Sequence, residues 1–145
     1  MKASLLLKIS AVLWIIWGIV HILAGVLTIS QDTAGAIAGI ADAVDPALFE
    51  AAYHDAVGAM INQHGFNLFW FGAFTVVGAV YIWRGSFTAI FFTAVVGGLA
   101  DAGYFLFMDL GGFVNFVPGT LMTIISSLAI ILSITAYFKN RHENS

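Results

Sequence analysis

Apolar positions run almost unbroken through four segments, residues 5–28, 61–83, 87–110 and 114–138. Each reaches or exceeds the ~20 residues that carry a helix across a bilayer. Inside these runs the polar and small residues recur at helical spacing. On the first, Ser10, Trp14, Trp17, Gly18, His21, Gly25 and Thr28 fall three or four residues apart and form one stripe. The opposite face is aliphatic: Ile15, Ile16, Ile19, Val20, Ile22, Leu23, Val26 and Leu27 suit lipid, so the stripe is expected to face other helices. Related stripes are His64, Asn67, Phe71, Thr75 and Gly78 on the second span, and Ala94, Gly97, Gly98, Asp101, Tyr104 and Met108 on the third. On the fourth they are Gly119, Thr120, Thr123, Ser126 and Ser127.

The connections are unequal. Residues 29–60 form the one long connection, and its Ala-rich composition with Ile37, Ile40, Ala41 and Val44 at helical spacing predicts an amphipathic helix at the membrane surface, placed to act as a lid. Asp45 followed by Pro46 is a helix-start signal, and the helix it opens is expected to run on towards the second span. The other turns, around Gly85–Ser86 and Gly111–Gly112, are too short to join anything but adjacent, opposed helices. The expected fold is all-α: one domain over 1–145, an up-down-up-down transmembrane four-helix bundle with an extracytoplasmic helical segment between its first two spans. Lys2, Lys8, Arg84, Lys139 and Arg141 are all the cations, and they fall at the N-terminus, the second connection and the C-terminus. Residues 29–60 carry only acids, so the positive-inside rule predicts both termini in the cytoplasm. The first apolar run is too long for a signal peptide and holds two Trp and a His, so it is expected to be retained.

With 61% hydrophobic and 9% charged residues, lipid rather than water must cover most of the chain. The net charge of −3 comes with no basic cluster, which sets nucleic acid aside. The absence of cysteine removes disulfides, thiol catalysis and iron–sulfur clusters.

Candidate chemistry follows from depth. At about 1.5 Å per residue from a common inner level at Lys8, Arg84 and Lys139, His21 and Asp101 both lie about 20 Å in, in the outer half of the hydrocarbon. A carboxylate there costs about 3 kcal/mol unless it is neutral or matched, and His21 is its natural partner. A His and an Asp in contact share a proton, which suits general acid–base work or a proton relay, so these two are the candidate catalytic pair. The alternative is adhesion between helices, but Ser or Thr supplies that at lower cost. Trp17, His64, Asn67, Tyr104 and Thr123 are the candidate binding residues around the pair, although Asn67 and Thr123 read better as ordinary helix contacts and Trp17 and Tyr104 equally well as packing. Trp83 beside Arg84 reads as an interfacial anchor, and Asp109 and Asn115 as groups that meet water or cap helix ends. No metal-binding motif is present: His54 and Asp55 point apart on a helix, and His142 is on the inner side. Haem between His21 and His64 would require strong tilting, because their depths differ by about 10 Å. Neither haem nor a metal is therefore favoured.

The strings WGIVHILAG, NQHGFNLFWFG, LADAGYFLFMDLGG and NFVPGTLMT, spread over nearly the whole chain, resemble an uncharacterised group of small bacterial four-helix integral membrane proteins. That resemblance implies a multi-pass membrane location and carries no activity with it; the location expected here is the bacterial inner membrane. Three functions fit the polar seam. The first is binding of a small apolar or amphipathic molecule with proton exchange at a His/Asp site open to the outer face. The others are a proton-coupled transporter or channel working as a homo-oligomer, and an accessory subunit whose small-residue stripes meet other helices.

Overall fold

The computed structural model describes residues 2–143, with backbone alone for 142 and 143; the side chain of His142 lies outside the described residues. The described chain is helical, with no strand: α1 (Ala3–Ser30), α2 (Thr33–Ile40), α3 (Asp55–Trp83), α4 (Phe87–Tyr104) and α5 (Leu121–Glu143). Single turns at Phe105–Asp109 and Phe116–Thr120 extend α4 and precede α5. Four helical paths, Ala3–Ser30, Asp55–Trp83, Phe87–Asp109 and Phe116–Arg141, are long and apolar enough to cross a membrane.

α1 is the hub, packing along α3 and α5. Its buried residues include Ser10, Trp14, Trp17, Gly18, Gly25 and Thr28, while Ile16, Ile19, Leu23 and Val26 are exposed, as lipid-facing side chains should be; Val20 and Leu27, expected to face lipid, line a cavity instead. The stripe read from the sequence is the packed face. Glycine sets the approach to α3: a Cβ on Gly18 would stand 2.7 Å from the Gly72 carbonyl, and one on Gly65 would stand 3.0 Å from the Gly25 carbonyl. The backbones touch, which converts lost side-chain volume into dispersion contact where no hydrophobic effect operates between helices.

The packed face of α3 is Gly65, Gly72, Thr75, Gly78, Ala79 and Ile82, with His64 and Asn67 at its margin. The smallest residues, not the most polar, sit closest to α1, because backbone contact selects for size. On α5 the same selection buries Ser126, Ala129, Ser133 and Ala136 and leaves Ser127 outside. The Ser10 hydroxyl crosses to the Ala129 carbonyl at 2.8 Å. At one end of the molecule Lys8 lies 5.5 Å over the Trp83 ring, and Phe87 meets Tyr137 at 5.1 Å.

The long connection is only partly helical. Asp32 caps α2 by accepting from Gly35 at 2.8 Å, and α2 stops at Ile40. Asp45 accepts from Ala47 at 3.0 Å and Pro46 opens a turn, but that turn ends at Phe49. There the Ala51 amide folds back onto the Phe49 carbonyl at 2.8 Å, a three-residue turn that cannot continue a helix. α3 starts afresh at Asp55 under a cap from His54, six residues before the expected boundary.

Replacing Gly18 or Gly72 with Leu should force α1 and α3 apart at a cost of about 1–3 kcal/mol, typical of overpacking. Thermal unfolding in detergent should show a clear loss for both. Gly103→Ala should leave the midpoint unchanged or raise it, since nothing lies within 4 Å of a Cβ there.

Candidate functional site

Trp17, His21 and Asp101 form a connected polar centre between α1 and α4. Asp101 is 4% exposed, and its Oδ2 accepts from the indole Nε1 of Trp17 at 2.8 Å. His21, one turn along α1, lies flat on the Trp17 ring, with centroids 3.5 Å apart and planes 19° from parallel. Its Nδ1 is 2.9 Å from the Trp17 carbonyl. A carbonyl can only accept, so Nδ1 carries a proton, and in the neutral ring the lone pair is then on Nε2. That Nε2 is 3.9 Å from Asp101 Oδ1.

The pair expected from depth is thus brought to one place, with a difference in how it is held. The strong hydrogen bond to the carboxyl comes from Trp17, not from His21, because 3.9 Å exceeds hydrogen-bond reach. Ser126 of α5 stands beside the same carboxyl and gives its own proton to the Thr123 carbonyl at 3.1 Å. Behind the centre, Trp14 packs edge-on against Trp17 at 5.7 Å. Among the described residues, the Trp14 indole N–H and the Thr93 hydroxyl are buried without a partner.

In front of the centre is a cavity of about 260 Å³. His21 and Asp101 line it together with Tyr104, and His64 stands at its margin. Its walls are largely apolar, including Val20, Ala24, Leu27, Leu68 and Met122. Ala36, Gly39 and Ile40 of α2 line it as well, so the segment expected to act as a lid contributes to the wall of a cavity. Asn67 and Thr123 do not line it. Asn67 accepts from Trp70 at 3.1 Å, and Thr123 donates to Asp109 at 3.3 Å.

Two features escaped sequence reading. Asp109 is not a surface group: it is partly buried and accepts from Thr120 and Thr123. The cause is the π-turn Phe105–Asp109, closed by the Leu110 amide on the Phe105 carbonyl at 3.0 Å. It inserts a residue into the helical count and swings Asp109 towards α5, where an unbroken α-helix would have put Met108. The second feature is a clasp over the cavity. Asp42 accepts from the Asn115 amide at 2.6 Å and the Asn115 side chain donates to the Asp42 carbonyl at 2.8 Å. Ala43 donates to the Phe113 carbonyl at 3.2 Å. The segment after α2 is thereby tied to the connection before α5, and Asn115, which reads as a cap, is a fastener.

No group of three or more His, Asp or Glu among the described residues could hold a metal ion. The cavity is below the ~300 Å³ at which drug-sized ligand pockets begin, too small for a tetrapyrrole. No family model, curated protein or solved structure matches the chain, so the site's chemistry rests on its geometry.

Two measurements check this arrangement. Trp17→Phe keeps the stacked ring but removes the donor to Asp101, and should cost about 1–3 kcal/mol. The same change in an Asp101→Leu background should cost much less, and equal costs in both backgrounds would refute the link. Asn115→Ala should loosen the clasp, seen as faster amide hydrogen exchange over α2 with α1 and α3 unaffected.

Proposed function

We propose that this is a multi-pass bundle of four up-and-down helices whose cavity binds a small apolar or amphipathic molecule, with His21 and Asp101 exchanging a proton with it. The observation that carries this reading is the shared wall: one cavity, otherwise largely apolar, is faced by both an imidazole and a carboxyl, each fixed by Trp17. A carboxyl used only as glue gains nothing from facing empty space, whereas a proton-exchanging group must be reachable. The apolar walls suit a molecule that partitions into lipid, and the few polar groups orient it.

In this reading both termini face the cytoplasm of a bacterial inner membrane, and the cavity opens outward beneath α2. Support comes from the basic residues at the Lys8–Trp83 end and the acidic connection at the other. Because the chain has no cysteine, single introduced thiols report sidedness cleanly. Ala51→Cys should react with an impermeant maleimide in intact cells, and Ser4→Cys only after permeabilisation.

Binding is tested by filling the cavity. Ala24→Trp should weaken binding of 2-phenylethanol, a small amphipathic probe, at least ten-fold by ligand-observed NMR in nanodiscs, while the far-ultraviolet helical signal is kept. Undiminished binding by a folded Ala24→Trp protein would rule this cavity out as the site.

A further inference from the structure

The ligand's charge can be read from the donors and acceptors that the centre leaves unmatched. Asp101 Oδ2 is satisfied by Trp17, and the Nδ1 proton of His21 goes to the Trp17 carbonyl. The polar atoms left over on these two cavity-lining residues are Oδ1 of the carboxyl and Nε2 of the neutral imidazole, 3.9 Å apart. With the carboxyl ionised both are acceptors, and at 3.9 Å neither meets the other even when the carboxyl is protonated. The Ser126 hydroxyl, 3.1 Å from the Thr123 carbonyl, also stands beside this carboxyl, whose two oxygens keep lone pairs for a further donor. A single nitrogen bearing two N–H groups reaches two acceptors roughly 4 Å apart with ordinary hydrogen-bond lengths.

The surroundings fix the rest. None of the five Lys and Arg residues lines the cavity, while a second carboxylate, Asp42, does. The titratable groups around Asp101 are His21 of α1, His64 of α3, Tyr104 and Asp109 on its own helical path, and Asp42 after α2; α5 contributes only hydroxyls. An anionic ligand would meet carboxylates with no cation to offset them. An inorganic cation would be left among Val20, Ala24, Leu27, Leu68 and Met122 with too few oxygen ligands. An organic ammonium with a short apolar body satisfies both parts of the cavity.

We infer that the cavity is a site for small lipophilic amines, whose ammonium bridges Oδ1 of Asp101 and Nε2 of His21. This rests on the binding reading above and names its ligand class. An amine arriving through lipid as the free base takes the proton from the Asp101 carboxylic acid. The O–H bond breaks, an N–H bond forms, and an ammonium–carboxylate pair remains, with the Trp17 indole stabilising the carboxylate. No electrons are transferred. An amine arriving as the ammonium at an already ionised carboxyl gives the same pair.

Three probes of like size separate the outcomes: 2-phenylethylamine, 2-phenylethanol and phenylacetate, titrated at pH 7 into the protein in zwitterionic nanodiscs, with empty nanodiscs as reference. The amine should bind at least ten-fold more tightly than the alcohol, and phenylacetate should not bind detectably. In Asp101→Asn the amine-over-alcohol ratio should fall to near one, whereas Asp42→Asn should preserve most of it. Equal or tighter binding of the alcohol or the acid by the unaltered protein would overturn the amine assignment and leave the cavity as a binding site. Binding of none of the three would overturn both readings. A preference lost with Asp42 rather than Asp101 would overturn the assignment of the ammonium to the buried carboxyl. The wild-type comparison does not depend on any variant folding.

Discussion

A carboxyl group placed among apolar helices must be supplied with a donor, and the hydrogen bond from the Trp17 indole to Asp101 meets that demand at 2.8 Å. The rest of the centre follows from it. The indole has to reach from α1 to α4, so α1 must sit centrally, and the glycines that let α3 approach its backbone make that position tenable. The same ring carries His21 on its face and gives it a carbonyl to donate to, which fixes the imidazole's orientation. One tryptophan thus positions both groups that face the cavity, through its ring, its N–H and its backbone.

The end of the molecule that carries α2 is built differently. α2, the Asp42–Asn115 clasp and the turn before α5 build a cover from short helical pieces and polar fasteners, where water is available and loosening costs little. The floor of the cavity is set by helix packing and its roof by hydrogen bonds. Under the proposed binding reading, a rigid floor beneath such a cover would admit a small molecule while the two acceptors stay in register.

How much of this the amino-acid order discloses depends on the physical signal involved. The four apolar runs and the buried stripe of α1 are legible because length and a 3.6-residue period survive without tertiary information. The level meeting of His21 and Asp101 is legible because rise per residue is a ruler. The tryptophan's donor role is not, since spacing places Trp17 on the right face without saying which atom its N–H meets. Asp109 is misread because a π-turn shifts the register, and nothing in Phe105–Asp109 announces one. The extent of the Asp45–Pro46 helix is likewise decided by the fold-back at Ala51, not by its start signal. His64 and Asn67 look central on α3 by polarity, yet backbone contact with α1 gives the centre to glycine.

The chain has four tryptophans, and their surroundings differ enough for the indole N–H signals to be told apart: Trp17 bonded to a carboxyl, Trp14 buried with no partner among the described residues, Trp70 bonded to Asn67, and Trp83 at the basic end. A proton–nitrogen correlation spectrum of the indoles, recorded for the natural protein and for Asp101→Asn, tests the centre directly. The Trp17–Asp101 hydrogen bond should give one strongly downfield signal, assigned to Trp17, that moves upfield on the substitution while the Trp70 and Trp83 signals hold still. A Trp17 signal indifferent to the residue at position 101 would contradict it.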